Sequence, residues 1–346
     1  MVISQRCSYS DLLAFTYNIL CSAGVVEPEA KSVSECLVWC SAAGLPNQGV
    51  WRLPVLLQKL ASGGITSPSK WLVRKKMPAF SYIDGGAGFG HYLCAKATVE
   101  VCKTAKNQGI AGIALSNSNF CGALGFYLKL AADNDCVLFV FSNSFPKVAP
   151  YGGVKAVLGT NPLGVGFPGI GGEHLIIDMA TASSAGSTIT KAIENGTSLP
   201  EGIAVDSKGE AITDPRLVDQ GALLPFGGAK GFGLALMVEM LAGVLTGSSL
   251  SKEIGSLYKH PDKPGGNGQL FIAISPSSYI DSETYESGWS RLREYLLADG
   301  NVRLPGVQKI SKEVESQVKG VELDQATLDA LSDLSKQHGV ALPTFI

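Results

Sequence analysis

Charge is scarce in this chain. Asp, Glu, Lys and Arg together make up 17% of 346 residues, and the formal net charge is −2. No basic tract is present, which excludes nucleic acid as the main partner, because neutralising phosphates needs clustered Lys and Arg. Long apolar runs are missing too. The longest, Phe232 to Leu245, is too short to span a bilayer and is interrupted by Glu239. Residues 1–25 hold no basic segment followed by a clean apolar run of the secretory kind. Histidine is rare, at four residues, and none sits at metal-ligand spacing from a cysteine. The eight cysteines all precede position 137 and form no Cys-x-x-Cys pair. They read as reduced, buried thiols acting as small apolar side chains, with no metal site, and a cytoplasmic location follows.

What is abundant is apolar: 45% of the residues are hydrophobic. A chain of this length suits two domains or one large α/β body, and this balance fits a soluble enzyme or binding protein rather than a disordered chain. Helical spacing runs from Ser10, a candidate N-cap, to about Ala43, with a second helix starting after Pro28. A short amphipathic helix is expected over 53–61 and a strand around Phe80–Ile83. The periodicity then predicts a helix over 91–108, a strand over 110–115, a helix through Ala132 and a strand over 137–141. Residues 142–174 are rich in Gly and Pro and read as loop. Leu175–Ile177 is strand-like, Phe232–Leu245 reads as a core helix apolar on nearly every side, and 306–346 is a charged amphipathic tail. Strands separated by helices indicate α/β.

The chain contains a literal Gly-x-Gly-x-x-Gly over Gly164–Gly169. As a dinucleotide fingerprint it fails on mechanism, since a helix must open directly after the second glycine. Pro168 and the glycines that follow prevent that, so the segment reads as a glycine-rich strand and turn.

On chemical grounds Arg52 is the strongest single candidate. It follows a Pro-Asn-Gln-Gly turn and sits among Trp51, Leu53 and Pro54, where a guanidinium can grip a carboxylate with two parallel hydrogen bonds. The stretch from Asn119 to Leu124 is expected to open a helix whose free N–H groups suit a pyrophosphate. His91 reads as a helix cap rather than a catalytic group. Tyr151 and Lys155 are candidate alternative proton donors if their loop faces the site.

Several short segments carry a wider likeness: Pro46-Asn47-Gln48-Gly49-Val50-Trp51-Arg52, Ser118–Gly125, Gly159-Thr160-Asn161-Pro162, Asp178-Met179-Ala180 and Gly227-Gly228-Ala229-Lys230-Gly231. In this order they resemble the malate/L-lactate dehydrogenase family, nicotinamide-dependent reductases of 2-oxo and 2-imino acids whose fold is not the Rossmann one. The resemblance covers nearly the whole chain. It implies an α/β fold with a mixed, largely antiparallel sheet flanked by helices. Residues 1–75 and 300–346 would form a helical, dimerising and substrate-side region, and residues 76–299 a cofactor-binding α/β region. It further implies NADP or NAD as cofactor and a homodimer with the active site near the subunit contact. Arg52 would hold a substrate carboxylate. Phe120, Cys121, Gly122, Ala123, Leu124, Ser144, Thr160, Asp178, Met179, Ala180 and Lys230 would line the cofactor, with Arg303 as a contact to a 2′-phosphate. Asp178 also reads as a satisfied buried carboxylate at a strand end.

Three departures matter. Gln48 and Phe120 stand where the family carries histidines, and Ala229 stands where a histidine often precedes the lysine. Glutamine donates and accepts hydrogen bonds but exchanges no proton near neutral pH. Ketone reduction needs a proton delivered to oxygen, whereas a protonated imine is already activated. With Gln48 and Asn47 orienting the reacting group and Phe120 walling the pocket or stacking on nicotinamide, the expected reaction is reduction of a small, cyclic 2-imino acid. Hydride would reach the carbon next to the carboxylate. The alternatives are a 2-oxo acid/2-hydroxy acid dehydrogenase with another donor, and a silent member acting as a binding protein.

Overall fold

Apolar runs at 110–115, 137–141 and 270–274 are buried on both faces over most of their length and build the centre of one sheet. The computed structural model describes residues 4–346. Its strands are β1 (Ser4–Cys7), β2 (Leu72–Lys76), β3 (Phe80–Asp84), β4 (Ile110–Ser118), β5 (Val137–Ser142), β6 (Leu163–Phe167), β7 (Leu175–Met179), β8 (Ala204–Val205), β9 (Ala222–Leu223), β10 (Asn267–Ile274) and β11 (Val321–Asp324). The large sheet has the order β2-β3-β4-β10-β5-β6-β7, and only the β3–β4 pair is parallel. The expected mixed, largely antiparallel α/β architecture is what the molecule has.

The helices are α1 (Tyr9–Ser22), α2 (Glu27–Ala42), α3 (Leu53–Ala61), α4 (Gly90–Gln108), α5 (Leu124–Ala132), α6 (Gly186–Asn195), α7 (Ala229–Val238), α8 (Ser282–Leu297), α9 (Val307–Lys319) and α10 (Gln325–His338). α4 and α5 pack on the sheet around Leu93, Val101, Tyr127 and Leu128. A second apolar cluster joins Leu12, Ile19, Leu37 and Leu56 to Val321, Leu331 and Leu334. β1 pairs antiparallel with β11, so both chain ends belong to this helical body. β2 straddles position 75 and lies in the large sheet, not in that body. A third cluster, with Val148, Ala192, Ile212 and Leu223, organises the region around β8 and β9.

The structure corrects some local readings. α1 is capped by Ser8, whose hydroxyl accepts from the Asp11 N–H, rather than by Ser10. The glycine-rich segment does form a strand, β6, because Gly164 and Gly166 face Leu128 of α5 at a spacing that leaves no room for side chains. Phe232–Leu245 is not buried all round. Leu236, Met237, Met240, Val244 and Leu245 are exposed along α7 and the π-helical turn that continues it. All eight cysteines are free thiols, and all but Cys21 are buried.

Sheet topology decides where chemistry can collect. The carboxyl ends of β3, β4, β5 and β7 fall on one edge, because Asp84 pairs with Ser116, Phe141 with Leu163 and Leu163 with Met179. β10 runs the other way and starts at that edge. The loops carrying Phe120 and Ser144 therefore leave the sheet on the same side as the end of β7, which carries Asp178. Asn267 fastens the two loops, pairing with Ser118 and donating to the Asn143 carbonyl at 3.0 Å.

Candidate active site

Pro46 starts a single 3-10 turn over Pro46–Gln48, and a second, Val50–Arg52, runs into α3. The Val50 N–H donates to Ser41 Oγ of α2 at 3.0 Å, fixing the paired turns on the helical body. Arg52 then folds back so that its Nε donates to the Asn47 carbonyl at 2.6 Å. This bond sets the plane of the guanidinium. Three rings surround it: Trp51, Phe120 and Tyr258, with centroids 5.3, 5.4 and 5.2 Å from Cζ. Enclosure pulls the guanidinium pKa down to about 10.

Behind Phe120 lies His91, in the first turn of α4. Its ring meets Phe120 edge-on, with centroids 5.6 Å apart and planes at 75°. The reading of His91 as a helix cap is overturned. The residue before α4 is Phe89, and His91 uses neither ring nitrogen for a hydrogen bond. It is fully buried, and burial, with the charge of Arg52 second, holds its pKa down to about 3. It is therefore a neutral imidazole. Nothing local in the sequence points to this placement; only the parallel β3–β4 pairing brings the start of α4 beside the loop after β4.

Buried polar atoms normally find partners. Among the described residues five buried side-chain atoms do not: Gln48 Oε1, Arg52 Nη1, both ring nitrogens of His91, and Gln269 Oε1. Gln269 faces Ser142 at the carboxyl end of β5, so it belongs to the same sheet edge. Of these residues, Arg52 and His91 both lie against Phe120 and Gln48 precedes Arg52 by one turn, so unpartnered polar atoms collect around that ring, where a polar ligand can satisfy them.

The expected cofactor residues fall in two groups. Cys121, Ala123 and Leu124 have buried side chains and could offer a ligand only their backbone. Gly122 takes φ +76°, and a Cβ there would lie 3.1 Å from His91 Nε2. The helix start at α5 is not free as expected. Asp178 Oδ2 accepts from the Gly125 N–H at 2.8 Å, placing a carboxylate where a pyrophosphate was envisaged. Its pKa is nevertheless raised by burial.

The second group lies at the end of β5. Ser144 Oγ and Thr160 Oγ1 are 3.4 Å apart, and Asn161 Oδ1 accepts from the Ser144 N–H at 3.2 Å. Asn161 Nδ2 donates to the Ala235 carbonyl and to Glu239 Oε2, at 3.2 and 2.7 Å, tying the loop to α7. Met179 ends β7 and Ala180 follows it, while Lys230, in the first turn of α7, and Arg303 are exposed. Hydroxyls at the end of β5, partnerless amide oxygens as acceptors, a neutral imidazole and exposed cations are groups of the kind a nicotinamide dinucleotide takes, so the residues fit that group.

Other expected candidates stand apart. Tyr151 lines a cleft of about 470 Å³ with Gly202, Gly209 and Gly228, to which Arg52, Phe120 and His91 contribute nothing. Lys155 is exposed. His174 is paired with Asp133 at 2.9 Å, and His338 with Ser22 at 3.0 Å. No helix among the described residues is long and apolar enough to cross a membrane.

Known proteins match this chain over nearly its whole length. The L-sulfolactate dehydrogenase of Methanocaldococcus jannaschii is 33% identical, over 95% of this chain and 96% of that one. A Delta(1)-pyrroline-2-carboxylate/Delta(1)-piperideine-2-carboxylate reductase from Pseudomonas syringae pv. tomato is 32% identical, over 96% and 97%. Among solved structures, malate dehydrogenase from Pyrococcus horikoshii superposes with a TM-score of 0.89 at 27% identity, covering 99% of this chain and 98% of that one. The malate/L-lactate dehydrogenase pattern matches residues 7–332. The chain belongs to the malate/L-lactate dehydrogenase family and is a nicotinamide-dependent oxidoreductase.

Proposed function

We propose that the protein reduces the C=N bond of a small, cyclic 2-imino acid. The observation that carries this reading is the presence, in two consecutive turns, of a partnerless donor and a partnerless acceptor: Arg52 Nη1 and Gln48 Oε1. A carboxylate satisfies the first. The second needs a hydrogen, and a protonated imine brings one on its nitrogen, whereas a ketone oxygen brings none. Asn47 holds the arginine through its carbonyl, so it orients the carboxylate indirectly. Bound NAD(P)H supplies the hydride at the carbon next to the carboxylate. Phe120 walls the pocket and, with His91 behind it, keeps water from the reacting atoms. The reductase from Pseudomonas syringae, whose name carries this substrate class, supports the reading.

A second reading is a 2-oxo acid/2-hydroxy acid dehydrogenase, favoured by His91, whose neutral ring is a hydrogen-bond donor close to the site, and by the sulfolactate dehydrogenase relative. A third is a binding protein without turnover. The test offers NADPH and NADH with cyclic imino acids, with 2-oxo acids alone, and with 2-oxo acids plus amine. Turnover of the imines alone is expected. Ketone turnover at an equal or higher rate overturns the reading in favour of the second, and absence of cofactor binding by calorimetry favours the third.

Arg303 supports NADP over NAD. The exposed apolar row Leu236, Met237, Met240, Val244 and Leu245 supports a homodimer, which light scattering on the purified chain tests. A cytoplasmic location goes with the free thiols.

A further inference from the structure

The ring of Tyr258 comes from far along the chain, in the segment between the π-helical turn and β10, yet it is firmly held over Arg52. Leu257 beside it is buried in the helical core. Ser256 Oγ accepts from the Tyr258 and Lys259 N–H groups at 3.2 and 3.3 Å. Beyond it, Lys59 of α3 is buried and donates its Nζ to the carbonyls of His260 and Lys263. Asn119 Oδ1, next to Phe120, accepts from the Gly265 N–H at 2.7 Å. An ammonium spent on two backbone carbonyls makes no ion pair, so its use here is to fix the segment. Trp51 and Tyr258 are 39% and 48% exposed, so they form the outer rim of the aromatic enclosure around Arg52, with the less exposed Phe120 on its inner side.

We propose that Tyr258 is a specificity-determining residue, which with Trp51 and Phe120 restricts Arg52 to carboxylates carrying a flat or apolar ring and turns away dianions. The inference rests on Arg52 being the carboxylate anchor of the imino-acid reading. The physical reason is the shape and charge of the enclosure. Aromatic faces are the negative side of the ring quadrupole, so they attract the guanidinium and repel a second carboxylate or a sulfonate placed against them. A flat unsaturated ring instead stacks between them. The enclosure carries one positive charge, that of Arg52, because the imidazole behind Phe120 is neutral. Malate-like and sulfonate-bearing acids would need a second cation that these residues do not supply.

The experiment is calorimetric, on the full chain with NAD+ and NADP+ present, and it reads binding rather than turnover. The probes are pyrrole-2-carboxylate, a flat unreactive ring, and malate. Wild-type protein is expected to prefer pyrrole-2-carboxylate. Tyr258→Ala should cut that preference about tenfold, the loss of about 1.4 kcal/mol of ring contact, and Tyr258→Phe should keep it. Equal binding of malate by the wild type, or an unchanged preference in Tyr258→Ala, overturns the proposal. Loss of preference in Tyr258→Phe overturns the ring argument in favour of the hydroxyl. Failure of imine turnover with the binding preference intact would sink the reaction proposed above and leave this inference standing.

Discussion

His91 and Phe120 meet edge to face, and this contact buries an imidazole with both nitrogens idle directly behind one of the three rings around Arg52. A histidine kept there unprotonated adds no stability through hydrogen bonding. Its folded-state pKa of about 3 lies below the unfolded value of 6.5, so between those values the unfolded chain binds the extra proton. Stability from this group is present in full above pH 6.5 and falls as pH drops towards 3, by at most about 1.4 kcal/mol per pH unit. Urea unfolding of wild type and His91→Gln between pH 4 and 7 checks this. The difference in slope isolates His91, because the carboxylates contribute equally to both proteins.

Replacing Arg52 should separate stability from function. Arg52→Met removes a half-enclosed charge with an unpaired Nη1, so the ligand-free protein is expected to melt a few degrees higher. Catalytic efficiency on any carboxylate substrate should fall about 100-fold or more, since charge-assisted hydrogen bonds contribute about 1.5–3 kcal/mol. Thermal melts and steady-state kinetics on the same preparation test both halves.

Gln48→His restores a proton-exchanging group at the turn. Ketone reduction should rise at least tenfold, out of the roughly 10²–10⁴ that a positioned acid provides, with little change on imines. Parallel assays on the two substrate classes decide it. No gain on ketones would remove the link between the missing donor and the substrate class.

Asn161 joins the Ser144–Thr160 loop to α7 through three hydrogen bonds, one of them to the buried Glu239. Asn161→Ala leaves that carboxylate short of a donor and should cost about 2–4 kcal/mol in urea unfolding. Cofactor affinity should weaken in the same variant, measured by fluorescence titration.

Much of the fold was legible one segment at a time. Leu53–Ala61, the helix ending at Gln108 and the strands beginning at Ile110 and Val137 follow from periodicity and from the glycines and prolines that bound them. The α1 cap was misplaced by two residues because Ser8 and Ser10 are chemically alike, and only chain geometry chooses between them. The apolar row of α7 read as core because hydrophobicity does not say which surface covers it.

The site divides along the same line. Sequence alone determined that Arg52 follows a tight turn in apolar company, that Gln48 and Phe120 are not histidines, and that Gly164–Gly169 starts no dinucleotide-binding helix. Those properties belong to residue type and near neighbours. Tertiary structure alone decided that Tyr258 covers Arg52, that His91 stands behind Phe120, and that Asp178 occupies the start of α5. Each of these joins residues more than twenty positions apart. Such pairings are set by strand order and by the burial of faces shared between distant segments, quantities that no local pattern encodes.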